Sequence, residues 1–335
     1  MQAGGFNPGE GNVTVLVGAI FALTYAALAL GRLPGLAVDR SGIAAIAAVA
    51  LVAIGAVPTA DLVHAIHFPT LALLCALMVL SARFAAAGTY EYLAARIAAG
   101  AGSPTRLLIL TVAVAGGLSA ILVNDIVVFV MTPLLVRGVA ARGLDPRPFL
   151  AALAGAANAG SAATLIGNPQ NIVIGQVGGL DFLDFALACG PPALASLVLV
   201  VATTRLVWRD ALAAPPALVA PPVPGFDRNQ TVKATLATLA LLVLFLSPIP
   251  RELAAIGVAA ALLLSRRFAS RDMLVAVDWP LLVLFAALFV INHALAGTGV
   301  TRAALAWMTG SGFGFEQLRT LLPGALVAPN TTGKD

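Results

Sequence analysis

A chain of 335 residues that is 60% hydrophobic and 10% charged, with a mean hydropathy of +0.98, has too few polar groups to coat a water-soluble globule, because soluble domains carry nearer ~25% charged residues. The net charge of +4 is small and scattered, which argues against nucleic acid as a partner and for the lipid bilayer as the solvent of much of the surface. The apolar stretches are long and rich in Ala, Leu, Val and Ile, so the predicted fold class is an all-α polytopic membrane protein; a transmembrane barrel needs short strands of alternating polarity, and none occur.

Residues 1–11 are polar and lack Lys and Arg, unlike the basic start of a signal peptide, so the first apolar stretch, Val13–Leu30, is expected to stay in the membrane. Basic residues mark cytoplasmic loops. By that rule the N-terminus lies outside (periplasmic), Arg32 and Arg40 lie inside, and a second helix over 41–57 leads to an outer loop with Asp61, His64 and His67. A third helix from Pro69 returns to a basic stretch with Arg83, Arg96 and Arg106. The inner membrane of a cell is the expected location.

The segment 107–136 decides the predicted architecture. It is apolar but flanked on both sides by arginines, Arg96 and Arg106 before it and Arg137, Arg142 and Arg147 after it. Thirty residues of helix rise only ~45 Å, too little for two crossings of a ~30 Å core. A re-entrant hairpin with its tip at Asn124-Asp125 satisfies both constraints. The stretch 149–179 then crosses outward as a helix broken by Gly167-Asn168-Pro169-Gln170-Asn171, since proline disfavours an intact helix there. A helix over 182–206 returns inside, and the Pro-rich stretch 208–232 is a cytoplasmic linker.

The second half, 233–335, repeats the first at a constant shift of 211 positions (68 to 279, 76 to 287, 88 to 299): Phe68-Pro69 matches Trp279-Pro280, Ala76-Leu77 matches Ala287-Leu288, Gly88 matches Gly299, and Arg40 matches Arg251. Five crossings separate the halves, so the second copy is expected upside down, an arrangement characteristic of transporters. The first repeat is thus 1–207. In the second, the equivalent of Asn124 falls on residue 335, while the sequence turns polar from Ala328; the second hairpin is therefore expected to be lost, by truncation or in a variant that dispensed with it.

Two constellations carry chemistry. Asn124 and Asp125, with Thr132 and Pro133 further along, form the first. An ionisable group at membrane depth is costly unless it faces a cavity, an ion or a partner, so Asp125 is a candidate Na⁺ or H⁺ site; Asn and Asp are equally good caps for a helix starting at Ile126. The second runs from Asn158 through Gly160, Ser161, Thr164, Gly167, Asn168 and Pro169 to Asn171. Its small residues suit close helix packing, and its freed carbonyls and amides suit a small cation or an oxyanion. Asn292 and His293 lie in a late apolar helix, where a helix–helix hydrogen bond and a proton carrier are both open. Cys75 and Cys189 are expected to be buried structural thiols. No His-Glu-x-x-His, aspartate-rich or Walker motif is present, so neither enzymatic nor ATP-driven action is expected.

At these two stretches the sequence resembles the ion transporter superfamily of dicarboxylate symporters, arsenite permeases and sodium/proton antiporters, with its citrate-transporter-like domain. Asn124-Asp125 followed by Thr132-Pro133 is similar to the arsenite permease branch, and Ala163 to Asn171 resembles the break in the fifth helix of that superfamily. The Ser and Thr of the dicarboxylate hairpin tip are replaced by Val123 and Asp125. The resemblance implies an elevator-type secondary transporter, a homodimer coupled to Na⁺ or H⁺, with Asn124, Asp125 and Gly167 at a cation site and Asn168 and Asn171 beside it. The implied cargo is a small ion: an inorganic or carboxylate anion, or arsenite. A sodium/proton antiporter and a non-transporting remnant or interaction protein are the alternatives.

Overall fold

The computed structural model describes residues 8–31, 35, 37–100, 102–213, 225–264 and 267–300. All regular structure among them is helical. In chain order, α1 (Pro8–Leu30) is followed by α2 (Arg40–Ala53), α3 (Leu62–Ala65), α4 (Phe68–Ala86) and α5 (Thr89–Gly100). Then come α6 (Pro104–Ile121), α7 (Asn124–Ala140), α8 (Arg147–Ser161), α9 (Pro169–Val177) and α10 (Phe182–Val207). Last are α11 (Arg209–Ala213), α12 (Arg228–Leu244), α13 (Arg251–Leu263), α14 (Ser270–Val275) and α15 (Trp279–Gly297). Five of them, at Val13–Leu30, Phe68–Ala86, Pro104–Ile121, Phe182–Val207 and Trp279–Gly297, are long and apolar enough to cross a membrane. Several starts are set locally. The Asp39 carboxylate accepts from the Gly42 amide at 2.8 Å to cap α2, Ser103 accepts from the Arg106 amide at 3.2 Å ahead of Pro104 in α6, and Asp181 caps α10.

The helices form two compact units. One holds α1, α2, α3 and α15, with α15 packed along α2 around Ala44, Leu51, Val290 and Ile291. The other holds most of α4 and α5 to α14; in it α6 lies on α8, α10 on α8, α5 on α7 and α12 on α13. Apolar burial of this kind, at ~25 cal/mol per Å² in water, gives little between helices in lipid, so close packing of small residues takes over as the main attraction.

Several bounds differ from those the sequence suggests. The chain after Pro69 is two helices, because Gly88 takes a φ of +73° and turns it into α5, a conformation glycine adopts at little cost. Arg83 is 3% exposed instead of standing in a solvated basic stretch. The hairpin 107–136 is longer at both ends, since Ser103 starts α6 early and α7 continues through Pro133 to Ala140; at ~1.5 Å per residue each arm is about 26 Å long. The stretch 208–232 is not all linker: α11 lies within it, α12 begins at Arg228, and residues 214–224 lie outside the described residues. Phe226 stacks on Tyr92 with ring centres 4.1 Å apart, and the Asp227 amide donates to the Ala87 carbonyl at 2.9 Å. Arg32 and the polar end of the chain, where the second hairpin is expected to be lost, are likewise outside the described residues.

Three features recur at the shift of 211, although α12 starts at Arg228 and not at 219, the counterpart of the start of α1. Phe68–Ala86 and Trp279–Gly297 correspond end to end, Arg40 and Arg251 each open a short helix, and Gly88 and Gly299 both have positive φ, +73° and +78°.

Candidate functional site

Four helix ends meet in the larger unit. The link between α6 and α7 is two residues, Leu122 and Val123, and the link between α8 and α9 runs over 162–168. The two breaks are tied together. The Asn124 amide donates to the Gly167 carbonyl at 3.2 Å, and the Thr164 hydroxyl donates to the Ala120 carbonyl at 2.6 Å. The backbones approach so closely that only glycine fits. A Cβ on Gly160 would lie 2.1 Å from the Gly116 carbonyl oxygen, and one on Gly167 would lie 2.3 Å from the Ser161 oxygen and 2.7 Å from the Ser119 oxygen.

Asparagine amides hold the second break in shape. Asn168 caps α9, its Oδ1 accepting from the Asn171 amide at 2.8 Å, with Pro169 at the first helical position. Its Nδ2 donates to the Ser161 carbonyl and hydroxyl at 3.3 and 3.2 Å. The Asn171 Nδ2 donates to the carbonyls of Thr164 and Ser161 at 2.8 and 3.2 Å. These bonds satisfy the carbonyls that the end of α8 leaves open.

At the hairpin tip the residue before the helix is Val123, with no side-chain cap. Asn124 and Asp125 are therefore the first two residues of α7 itself and not caps for a helix starting at Ile126. Asn124 is buried and its Oδ1 has no hydrogen-bond partner among the described residues; the same holds for the hydroxyl of Ser119. Buried oxygens of this kind normally find a donor or an ion. Asp125 is exposed on the first turn.

The structure thus brings together Asn124, Asp125, Gly160, Ser161, Thr164, Gly167, Asn168, Pro169 and Asn171. It does not bring the remaining three. Thr132 and Pro133 lie two turns down α7. Asn158 is exposed, its Nδ2 bonded to the Ala154 carbonyl of its own helix at 3.0 Å. Three contributors are not evident from sequence: Ser119, Gly116, and Ser81, whose hydroxyl accepts from the Val123 amide at 3.4 Å. The run Gly116-Gly117-Leu118-Ser119 before the tip is the signal that points to the first two. Outside this site, His293 is exposed, Asn292 accepts from the Tyr25 hydroxyl at 3.5 Å, and both cysteines are half-buried and free rather than buried. Among the described residues no group of three or more His, Cys, Asp or Glu is placed to hold a metal ion.

Residues 19–328 match the family model described as "Citrate transporter". The chain belongs to the citrate transporter family. It is 28% identical over 326 residues to a 46 kDa membrane protein of Mycobacterium leprae, covering 92% of this chain and 75% of that one. An uncharacterized transporter of Mycobacterium tuberculosis is 31% identical over 248 residues, 70% of this chain and 57% of its own. A silicon efflux transporter of Oryza sativa subsp. japonica is 34% identical over 185 residues, 55% of this chain and 38% of its own. The chain thus spans only part of the length of these relatives. Family and apolar helices together make this citrate transporter family member a multi-pass membrane protein, within the ion transporter superfamily.

Proposed function

We propose that the chain works as a secondary active transporter that moves a small ion, an inorganic or carboxylate anion or arsenite, across the inner membrane coupled to H⁺ or Na⁺. The observation that carries this is the bond between the Asn124 amide and the Gly167 carbonyl, which joins two helix breaks at one point. The starts of α7 and α9 supply amides and the positive ends of two helix dipoles, suited to an oxyanion. The end of α6, the Asn124 Oδ1 and the Asp125 carboxylate supply oxygens suited to Na⁺ or a proton. Discontinuous helices with both kinds of end at one site are what coupled transporters use.

Within this reading the two halves are inverted copies, the N-terminus lies outside, the basic loops and 208–232 face the cytoplasm, the tip at 124–125 enters from that side, and the working unit is a homodimer. The family description adds citrate to the substrates worth testing, and the name of the rice relative adds silicon, for which silicic acid is the soluble probe. Sodium/proton exchange without an anion is the alternative that Asp125 would serve equally.

The test is flux into liposomes carrying an internal pH dye, challenged with citrate, succinate, phosphate, sulfate, arsenite, silicic acid and Na⁺ alone, for wild type and Asp125→Asn. One solute is expected to move with a dependence on pH or Na⁺ that the variant lacks. Wild-type silence to every solute, or an Asp125→Asn flux with unchanged ion dependence, would overturn the proposal.

A further inference from the structure

Away from the helix breaks, the larger compact unit contains a polar cavity. It has a volume of about 550 Å³ and lies between the last turn of α4, the first turns of α12 and the end of α13. None of Ser119, Asn124, Ser161 or Gly167 lines it. Its polar lining is Arg83, Gln230, Lys233 and Arg267, and Leu262 and Leu264 are among its apolar residues. Arg83 is 3% exposed, which is rare for an arginine. Its Nη2 donates to the Gln230 Oε1 at 2.7 Å, and its guanidinium lies 4.7 Å over the Phe268 ring. A neutral amide and an aromatic face orient the guanidinium, and Asp227 lies within its electrostatic reach. Arg267 pairs with Asp227 at 2.8 Å, so among the described residues the cations Arg83, Lys233 and Arg267 stand around the cavity with the one carboxylate of Asp227.

We infer that this cavity binds a phosphate-bearing anion, either the headgroup of an anionic phospholipid or free phosphate. A planar guanidinium held in place and two further cations are the chemistry that recognises phosphate oxygens. The volume lies in the ~300–1,000 Å³ range of clefts for organic ligands, larger than a lone oxyanion fills. Leu264 is 88% exposed at its edge, an apolar surface that an acyl chain would cover. Basic pockets between membrane helices hold lipid headgroups by the same combination. The site is independent of the transport proposal, and its test needs no flux.

The experiment is thermal unfolding of the purified full chain in neutral detergent at fixed ionic strength, titrated with phosphatidylglycerol, phosphatidylcholine or inorganic phosphate. Arg83 is left in place, because removing a buried arginine risks the fold itself. The variants are Lys233→Gln and Arg267→Gln, with Arg209→Gln, whose side chain is 80% exposed, as a control for general surface charge. Phosphatidylglycerol is expected to protect the wild type, with affinity about fivefold weaker in each cavity variant and unchanged in the control. Protection by inorganic phosphate alone, lost in the same two variants, would assign the site to free phosphate. Equal protection by phosphatidylcholine, or undiminished binding in both cavity variants, would overturn the inference.

Discussion

The amide of Asn124 and the carbonyl of Gly167, 43 positions apart, share a hydrogen bond of 3.2 Å, so the tip of one helix pair is fastened to the break of another. The junction can be probed from both sides.

At Gly167 a methyl group would sit 2.3 Å from the Ser161 oxygen and 2.7 Å from the Ser119 oxygen. Both are backbone atoms and cannot swing away. Gly167→Ala is expected to cost about 3 kcal/mol, the upper end for overpacking, and to lower the unfolding midpoint in detergent by several degrees. A wild-type midpoint would show that the junction yields.

Gly160 and Gly117 form a matched pair for the crossing of α6 and α8. A Cβ on Gly160 would meet the Gly116 carbonyl at 2.1 Å, whereas one on Gly117 meets nothing within 4 Å. Gly160→Ala should therefore fail to give stable protein, while Gly117→Ala should be neutral or stabilising by up to ~1 kcal/mol through helix propensity. Size-exclusion profiles and unfolding midpoints of the two variants make the comparison, and similar behaviour would refute the crossing.

Asn168 has two roles that separate by substitution. Asn168→Asp keeps the oxygen that accepts from the Asn171 amide but loses the donor to Ser161; Asn168→Ala loses both. Loss of the cap costs ~1 kcal/mol, so amide exchange in Pro169–Val177 should rise about fivefold in the alanine variant and less in the aspartate variant. Identical exchange in both would exclude capping as the main role.

Asp181 gives a pH prediction with a definite sign. Its carboxylate accepts from the amides of Asp184 and Leu183 at 3.0 and 2.8 Å, and these bonds, with Arg251 nearby, hold its pKa below the ordinary value. A depressed folded-state pKa means the cap contributes fully above the unfolded value of ~3.9 and is lost as pH falls through the folded one. Unfolding midpoints from pH 6 to pH 3 should thus fall more steeply in the wild type than in Asp181→Ala. Parallel curves would remove the cap from the account.

How much of this was legible in the sequence depends on where each partner lies. The break at Gly167-Asn168-Pro169 announces itself, because proline and asparagine act on their own neighbours, and Asn168 does cap the helix that Pro169 begins. The apolar segments are equally local signals. Ser119 and Gly116 show in the sequence only as part of the run Gly116 to Ser119, because their importance comes from contact with Gly167 and Gly160, more than 40 positions away. Arg83 looks like a solvated cytoplasmic marker until Gln230, 147 positions on, is folded against it. Asn158 and the Thr132-Pro133 pair belong to motifs by spacing alone, and helix geometry turns the first outward and leaves the others two turns from the tip. Helix α5 is hidden in the sequence because a single left-handed glycine, Gly88, interrupts a continuous run of helix formers.

The meeting of four helix ends has an electrical consequence for the proposed transport cycle. Two starts at about +0.5 and two finishes at about −0.5 elementary charge cancel, so the backbone of the junction has no net charge to offset that of a bound ion. In the proposed cycle an ion bound there by itself would carry its charge into low-permittivity hydrocarbon at a cost, whereas a cation and an anion bound together would not. The bilayer would then act as the interlock. A half-laden carrier would be held back by the medium itself, and slippage suppressed without any dedicated latch.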